Sequence, residues 1–260
     1  MKLKILFMSA NPSKDLNLDE EIRNVRMAIQ SYAKHESVEM IHRPATRLKD
    51  MINILNSEKP HILHFAGHGY TESGELYMVD ADTKGDKIIP YEALSLLFDT
   101  VKEDNLKLVF LNSCYSKVQA DAILESIDYV IGMNDEIEDD SAKTLSTQFY
   151  SSFVAGVSLV NSFKQAKVEV IANHFSQKNI PELLTRSDEV QDFSIVDIVG
   201  EEEEKTTQED KKSNITINGD VTGVAHVSGG TVNQTINKKV VNAKTNIEKL
   251  ENKDGGIINF

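Results

Sequence analysis

The chain has a single cysteine and no tryptophan. One thiol cannot close an intramolecular disulfide, and the expected setting is a reducing cytoplasm. No apolar run approaches the ~20 residues that cross a bilayer. The apolar part of Met1–Ala10 is too short for a signal peptide, and its alternation fits a first strand. Positive charge is also scarce. Against 41 acidic residues there are 28 Lys and Arg, leaving a net charge of −13, which argues against nucleic acid as the main partner. No glycine-rich phosphate loop follows the first strand; Asn11-Pro12-Ser13 stands there instead, which counts against a flavin or nucleotide binder. No cofactor and no metal site is expected.

What is present is enough for one good-sized domain and an appendage, or for two small domains: 260 residues, 40% of them hydrophobic. Two stretches share one design. Lys107-Leu-Val-Phe-Leu-Asn-Ser-Cys114 and His61-Ile-Leu-His-Phe-Ala-Gly-His68-Gly69 are short apolar runs that stop at a reactive side chain. Continuous apolar runs of this length read as strands buried on both faces of a parallel sheet. Cys114 and His68 then fall at the carboxyl ends of their strands, the edge where open α/β sheets hold ligands and chemistry. A free thiol has a pKa near 8.5, and a neighbouring imidazole activates it. A lone cysteine is more often a small buried hydrophobe, and a lone histidine more often structural. The pair outweighs either alone, because both end strands and Gly67 and Gly69 permit close backbone approach.

The rest of the chain alternates strand and helix. Lys4–Ser9 forms strand one. Asn17 with Glu20 makes a capping box, and Leu18, Ile22, Val25, Ile29 and Tyr32 carry a helix to about His35. Ser37–Ile41 is a strand, and Leu48, Met51, Ile52 and Leu55 mark the next helix. Gly74–Asp80 and Lys87–Ile89 read as a hairpin beside the His68 end. Helices follow at Tyr91–Val101 and Lys117–Ser126, with a strand at Tyr129–Ile131. After the acidic loop Asp135–Asp140 come helices at about Ser141–Val154 and Ser158–Asn173, and a last strand at Phe193–Val199. Strands alternating with helices give a mostly parallel sheet covered on both faces, a three-layer α/β domain over residues 1–199.

Residues 200–212 form a charged linker with almost no apolar content. Residues 213–260 differ again. From Asn214 to Ile236, β-branched residues alternate with small polar ones and glycines punctuate the run, which is hairpin chemistry. Such a tail is too small to fold by itself and is expected to pair with a second copy or a regulatory partner; a flexible tail is the competing reading. Val240–Leu250 reads as one short amphipathic helix.

The two reactive stretches, His64-Phe-Ala-Gly-His68-Gly69 and Leu111-Asn-Ser-Cys114, resemble the caspase-like cysteine peptidases, and more narrowly the bacterial CHAT domains. Ile5–Pro12, Val130–Asp135, Ser141-Ala142, Phe149-Tyr150, Gly156-Val157-Ser158 and Ala166 also match, so the resemblance spans residues 1 to about 175. It implies a caspase-like fold and a cysteine endopeptidase acting on protein substrates, a regulated effector in bacterial defence or signalling. Cys114 would be the nucleophile and His68 the proton shuttle, with the N–H groups of Gly69 and Cys114 as the oxyanion hole. His64, deeper in the sheet, is read as structural. The residue two before the nucleophile lines the pocket for the side chain preceding the cut, which makes Asn112 substrate-binding, with Asp135 as a possible anionic wall. Asp80 and Asp82 are read as solvated loop charge. Tyr115 departs from the charged residue often seen after the cysteine. A catalytically silent adaptor working through the tail is the alternative.

Overall fold

The computed structural model describes residues 2–11, 16–32, 35–70, 74–102 and 104–200, and the backbone of four short strands beyond them. The chain divides into two units, Met1–Glu202 and Glu203–Phe260.

The first unit is built on a six-stranded sheet. Its strands are β1 (Leu3–Ala10), β2 (Val38–Arg43), β3 (Ile62–Gly67), β6 (Leu108–Asn112), β7 (Tyr129–Met133) and β8 (Pro181–Thr185), in the order β2-β1-β3-β6-β7-β8. All pairs are parallel except β7 with β8. Helices α1 (Leu18–Gln30), α5 (Asp139–Val154), α6 (Leu159–Asn173) and α7 (Ile195–Val199) share one core with one face of the sheet. Helices α2 (Leu48–Glu58), α3 (Tyr91–Val101) and α4 (Lys117–Ile123) share a second core on the other. This is the expected three-layer α/β architecture, and the near-continuous burial of β1, β3, β6 and β7 is what a sheet covered on both sides demands.

Between β3 and α3 stands the expected hairpin, β4 (Leu76–Val79) antiparallel to β5 (Asp86–Ile89). Asn17 caps α1 as expected: its side chain accepts from the Glu20 N–H and donates Nδ2 to Glu20 Oε2 at 2.8 Å.

Three expectations fail. Helix α1 stops at Gln30, and His35–Ser37 is a separate 3₁₀ turn. Phe193–Val199 is not a strand: Ser194 and Asp197 form a capping box and wind Ile195–Val199 into α7. The last strand of the sheet is instead β8, starting at Pro181. Antiparallel at the sheet's end, it tolerates a leading proline because, among the described residues, no strand pairs with its outer side. In the second unit the described residues form strand pairs, β9 (Val232–Ile236) with β10 (Lys239–Ala243) and β11 (Lys249–Glu251) with β12 (Ile257–Asn259). The helix expected over Val240–Leu250 is therefore replaced by strand at both ends. The hairpin expected from Asn214 lies outside the described residues up to Thr231.

Candidate active site

The site grows out of one pairing register. In the β3–β6 ladder Ala66 stands opposite Asn112, and His68 and Cys114 each follow two residues after this last pair. Neighbouring strands run about 4.8 Å apart. The two loops stay in contact past the strand ends. A Cβ built on Gly69 would lie 1.8 Å from the Cys114 carbonyl oxygen and 3.0 Å from Ser113 Oγ. A Cβ on Gly74, which has φ +69°, would lie 2.0 Å from the Tyr115 carbonyl oxygen. Only glycine lets the backbone come this close, so Gly69 and Gly74 clamp the Ser113–Tyr115 turn from one side. Tyr115 itself takes φ +57°, an unusual conformation for a bulky residue, held by its N–H donating to the Asp135 carbonyl at 3.2 Å.

The hairpin bonds around Gly69 fix where its amide points. Tyr70 N–H donates to the Glu75 carbonyl at 2.7 Å and Tyr77 N–H to the His68 carbonyl at 3.0 Å, flanking the bridge between Gly69 and Leu76. In that pattern the bridged residues exchange no hydrogen bonds of their own. The Gly69 N–H is therefore turned away from β4.

Cys114 is half-buried. Its Sγ approaches the Ile137 carbonyl at 3.7 Å. Burial pushes the thiol above its ordinary range; the contact from Ile137 acts the other way, and the carboxylates of Glu136 and Asp135 raise it further. His68 is half-buried and engaged in an interaction of its own. Asp135 is exposed beside this turn: its carboxylate caps the Glu136 N–H at 2.8 Å, and it keeps the Tyr115 hydroxyl protonated beyond the usual range, second to burial.

Asn112 lies beneath, buried. Its Nδ2 donates to Glu21 Oε1 at 2.6 Å and to the Ala142 carbonyl at 3.3 Å, while its Oδ1 has no partner among the described residues. Glu21 was not singled out by the sequence reading, yet it is the centre of a buried polar cluster. His64 Nε2 sits 3.2 Å from Glu21 Oε1, close enough for an ion pair but not aligned as a hydrogen bond. His64 Nδ1 meets the Tyr150 hydroxyl at 3.2 Å, and its ring lies between Phe7 and Phe110. Full burial, with the Glu21 charge second, drives the Tyr150 hydroxyl well above its usual pKa. The clue in the sequence was available: Glu21 follows Leu18 by three and precedes Val25 by four, so it sits in the apolar stripe of α1. His64 thus lies in the core, apart from the half-buried Cys114, and Asp80 folds its carboxylate onto the N–H groups of Asp82 and Thr83.

The CHAT domain sequence model matches residues 3–183. The chain belongs to the CHAT domain family. A protein of Gillisia limnaea described as a probable protease is 27% identical over 157 residues, covering 58% of this chain; the chain spans 27% of that relative's length. A secreted C11 cysteine protease from Bacteroides thetaiotaomicron, solved with an irreversible peptide inhibitor, shares the fold at a TM-score of 0.51 and 12% identity, over 72% of this chain and 67% of the other. The Drosophila initiator caspase Dronc aligns at a TM-score of 0.48 and 8% identity over 70% of this chain and 79% of its own. This CHAT domain shares its fold with that C11 cysteine protease. No helix among the described residues is long and apolar enough to cross a membrane.

Proposed function

We propose that this CHAT domain is a cysteine endopeptidase in which Cys114 and His68 work as a dyad. The observation that carries the reading is the Gly69–Cys114 contact, which locks the histidine loop and the cysteine turn together at the carboxyl edge of the sheet. The Cys114 sulfur attacks the scissile carbonyl carbon, His68 takes the thiol proton and delivers it to the departing amine, and water then releases the acyl group from sulfur. The N–H groups of Gly69 and Cys114 receive the developing oxyanion, a contribution of about 3 kcal/mol per donor. Asn112 floors the pocket for the residue before the cut, and Asp135 borders it.

The raised thiol pKa supports regulation. A thiol held protonated by burial and by Glu136 and Asp135 is a weak nucleophile until a partner or ligand reshapes the 135–137 loop. The same observation favours the second reading, a silent adaptor acting through residues 213–260, in self-association or with a regulatory protein. Role in bacterial defence or signalling and a cytoplasmic setting belong to the proposal in either form.

The experiment is cleavage of a peptide library by the wild type and by Cys114→Ala. Cleavage lost in the variant supports the peptidase. Equal cleavage by both removes it, and a Cys114 that resists iodoacetamide even with partners added supports the adaptor.

A further inference from the structure

The β2 edge of the sheet, far from the cysteine turn in strand order, carries an unusual charge distribution. The chain has five arginines, and four of them fall between residues 23 and 47. Arg23 and Arg26 are exposed on α1, and among the described residues neither has a carboxylate within ion-pair distance, although acids outnumber bases 41 to 28. Several lysines elsewhere are tied down: Lys59 to Asp104, Lys107 to Asp128, Lys143 to Glu20, Asp139 and Asp140. The two arginines line a groove of about 400 Å³ with Asp19, Ile22, Met27 and His42. Met27 is 60% exposed, so the groove is cationic and apolar together. Burial, and after it the Arg26 charge, hold His42 below its ordinary pKa, while Asp19 acts the other way.

Alongside runs a strand edge. β2 pairs with β1 on one side and, among the described residues, with no strand on the other. Val38, Met40 and His42 face the α1 side: the first two pack against that core, and His42 Nε2 meets Ser9 Oγ at 3.3 Å. Arg43 turns back onto the His42 carbonyl, and Thr46 covers the carbonyl of Arg43, so the open stretch is Val38–Ile41.

We propose that β2 and the α1 groove dock an extended acidic segment of a partner protein by strand addition. A strand laid on β2 turns every second side chain to the α1 side, about 6.8 Å apart. Arg23 and Arg26, three residues apart on the helix, rise about 4.5 Å between them and meet successive acids of such a strand. The apolar flank of Ile22 and Met27 suits aliphatic carbons of the same segment, which a small inorganic anion lacks. A second copy is the poorer occupant, because edge-to-edge pairing would bring the same arginines together.

The test uses the full chain and a fluorescein-labelled octapeptide alternating Glu with Val and Thr, read by anisotropy at low salt. The expected result is saturable binding that falls at least about tenfold in Arg23→Glu/Arg26→Glu and for the peptide N-methylated at alternate amides, which cannot add as a strand. Arg23→Gln/Arg26→Gln provides the milder variant, with the urea midpoint checking that each folds. Four results would overturn the proposal: no binding up to about 1 mM, equal binding of the N-methylated peptide, displacement by pyrophosphate at matched ionic strength, or sedimentation showing a wild-type dimer that the double variant loses.

Discussion

Ala66 and Asn112 face one another across the β3–β6 ladder, the last pair before His68 and Cys114. The His68 loop and the Cys114 turn thus leave the sheet from neighbouring strands paired two residues earlier, so the candidate site is positioned by the rigid part of the sheet.

Gly69 is the most sensitive point beyond the strands. A methyl group there would meet the Cys114 carbonyl oxygen at 1.8 Å, and backbone cannot swing aside as a side chain can. Gly69→Ala is expected to cost about 1–3 kcal/mol and to displace the cysteine turn. Urea unfolding and the iodoacetamide rate at Cys114 check it; a variant matching wild type in both contradicts the packing described.

The thiol gives a pH prediction. Burial first, then Glu136 and Asp135, raise the Cys114 pKa above its ordinary range. Alkylation at Cys114 should therefore climb about tenfold per pH unit through neutrality and level off only in the alkaline range. For stability, the folded state has the higher pKa and so binds the proton more tightly than the unfolded chain. Its contribution is complete below the unfolded thiol pKa and is lost as pH rises through the folded one. A plateau in the alkylation rate at neutral pH contradicts this.

Removing the nearby charges should move the thiol the other way. Glu136→Gln and Asp135→Asn each take away a carboxylate that disfavours thiolate, so alkylation at neutral pH should quicken by a few-fold, with the larger effect for Glu136. Added salt should narrow the difference, since both residues are exposed. Slower alkylation in both variants would contradict the assignment.

The cluster around Glu21 should respond to loss of its centre. Glu21→Ala leaves Asn112 Nδ2 without its 2.6 Å acceptor and strands His64 in the core. We expect about 3 kcal/mol of destabilisation, measured by urea midpoint, and a smaller loss for Glu21→Gln, which retains an oxygen. Equal stability of Glu21→Ala and wild type would contradict the cluster's role.

Much of this was legible because the signals were local. The apolar runs before His68 and Cys114, the Asn17–Glu20 cap and the limits of Tyr91–Val101 each follow from neighbouring residues. The failures have physical reasons too. Phe193–Val199 has the β-branched content of a strand, but the Ser194–Asp197 capping box decides for helix. β8 begins with proline and is only half-buried, so neither periodicity nor burial marked it. The Glu21–Asn112 bond joins residues 91 apart in sequence, and no local pattern announces a partner so distant. Glu21's place in the α1 stripe was the one hint.

The central claim is that imidazole and sulfur act together, and the most direct measurement is kcat/KM on a peptide cleaved by the wild type, repeated with His68→Ala and with Cys114→Ala as the blank. His68→Ala is expected to lose about 10²–10⁴-fold while remaining folded. A His68→Ala protein that cleaves within a few-fold of wild type would contradict it.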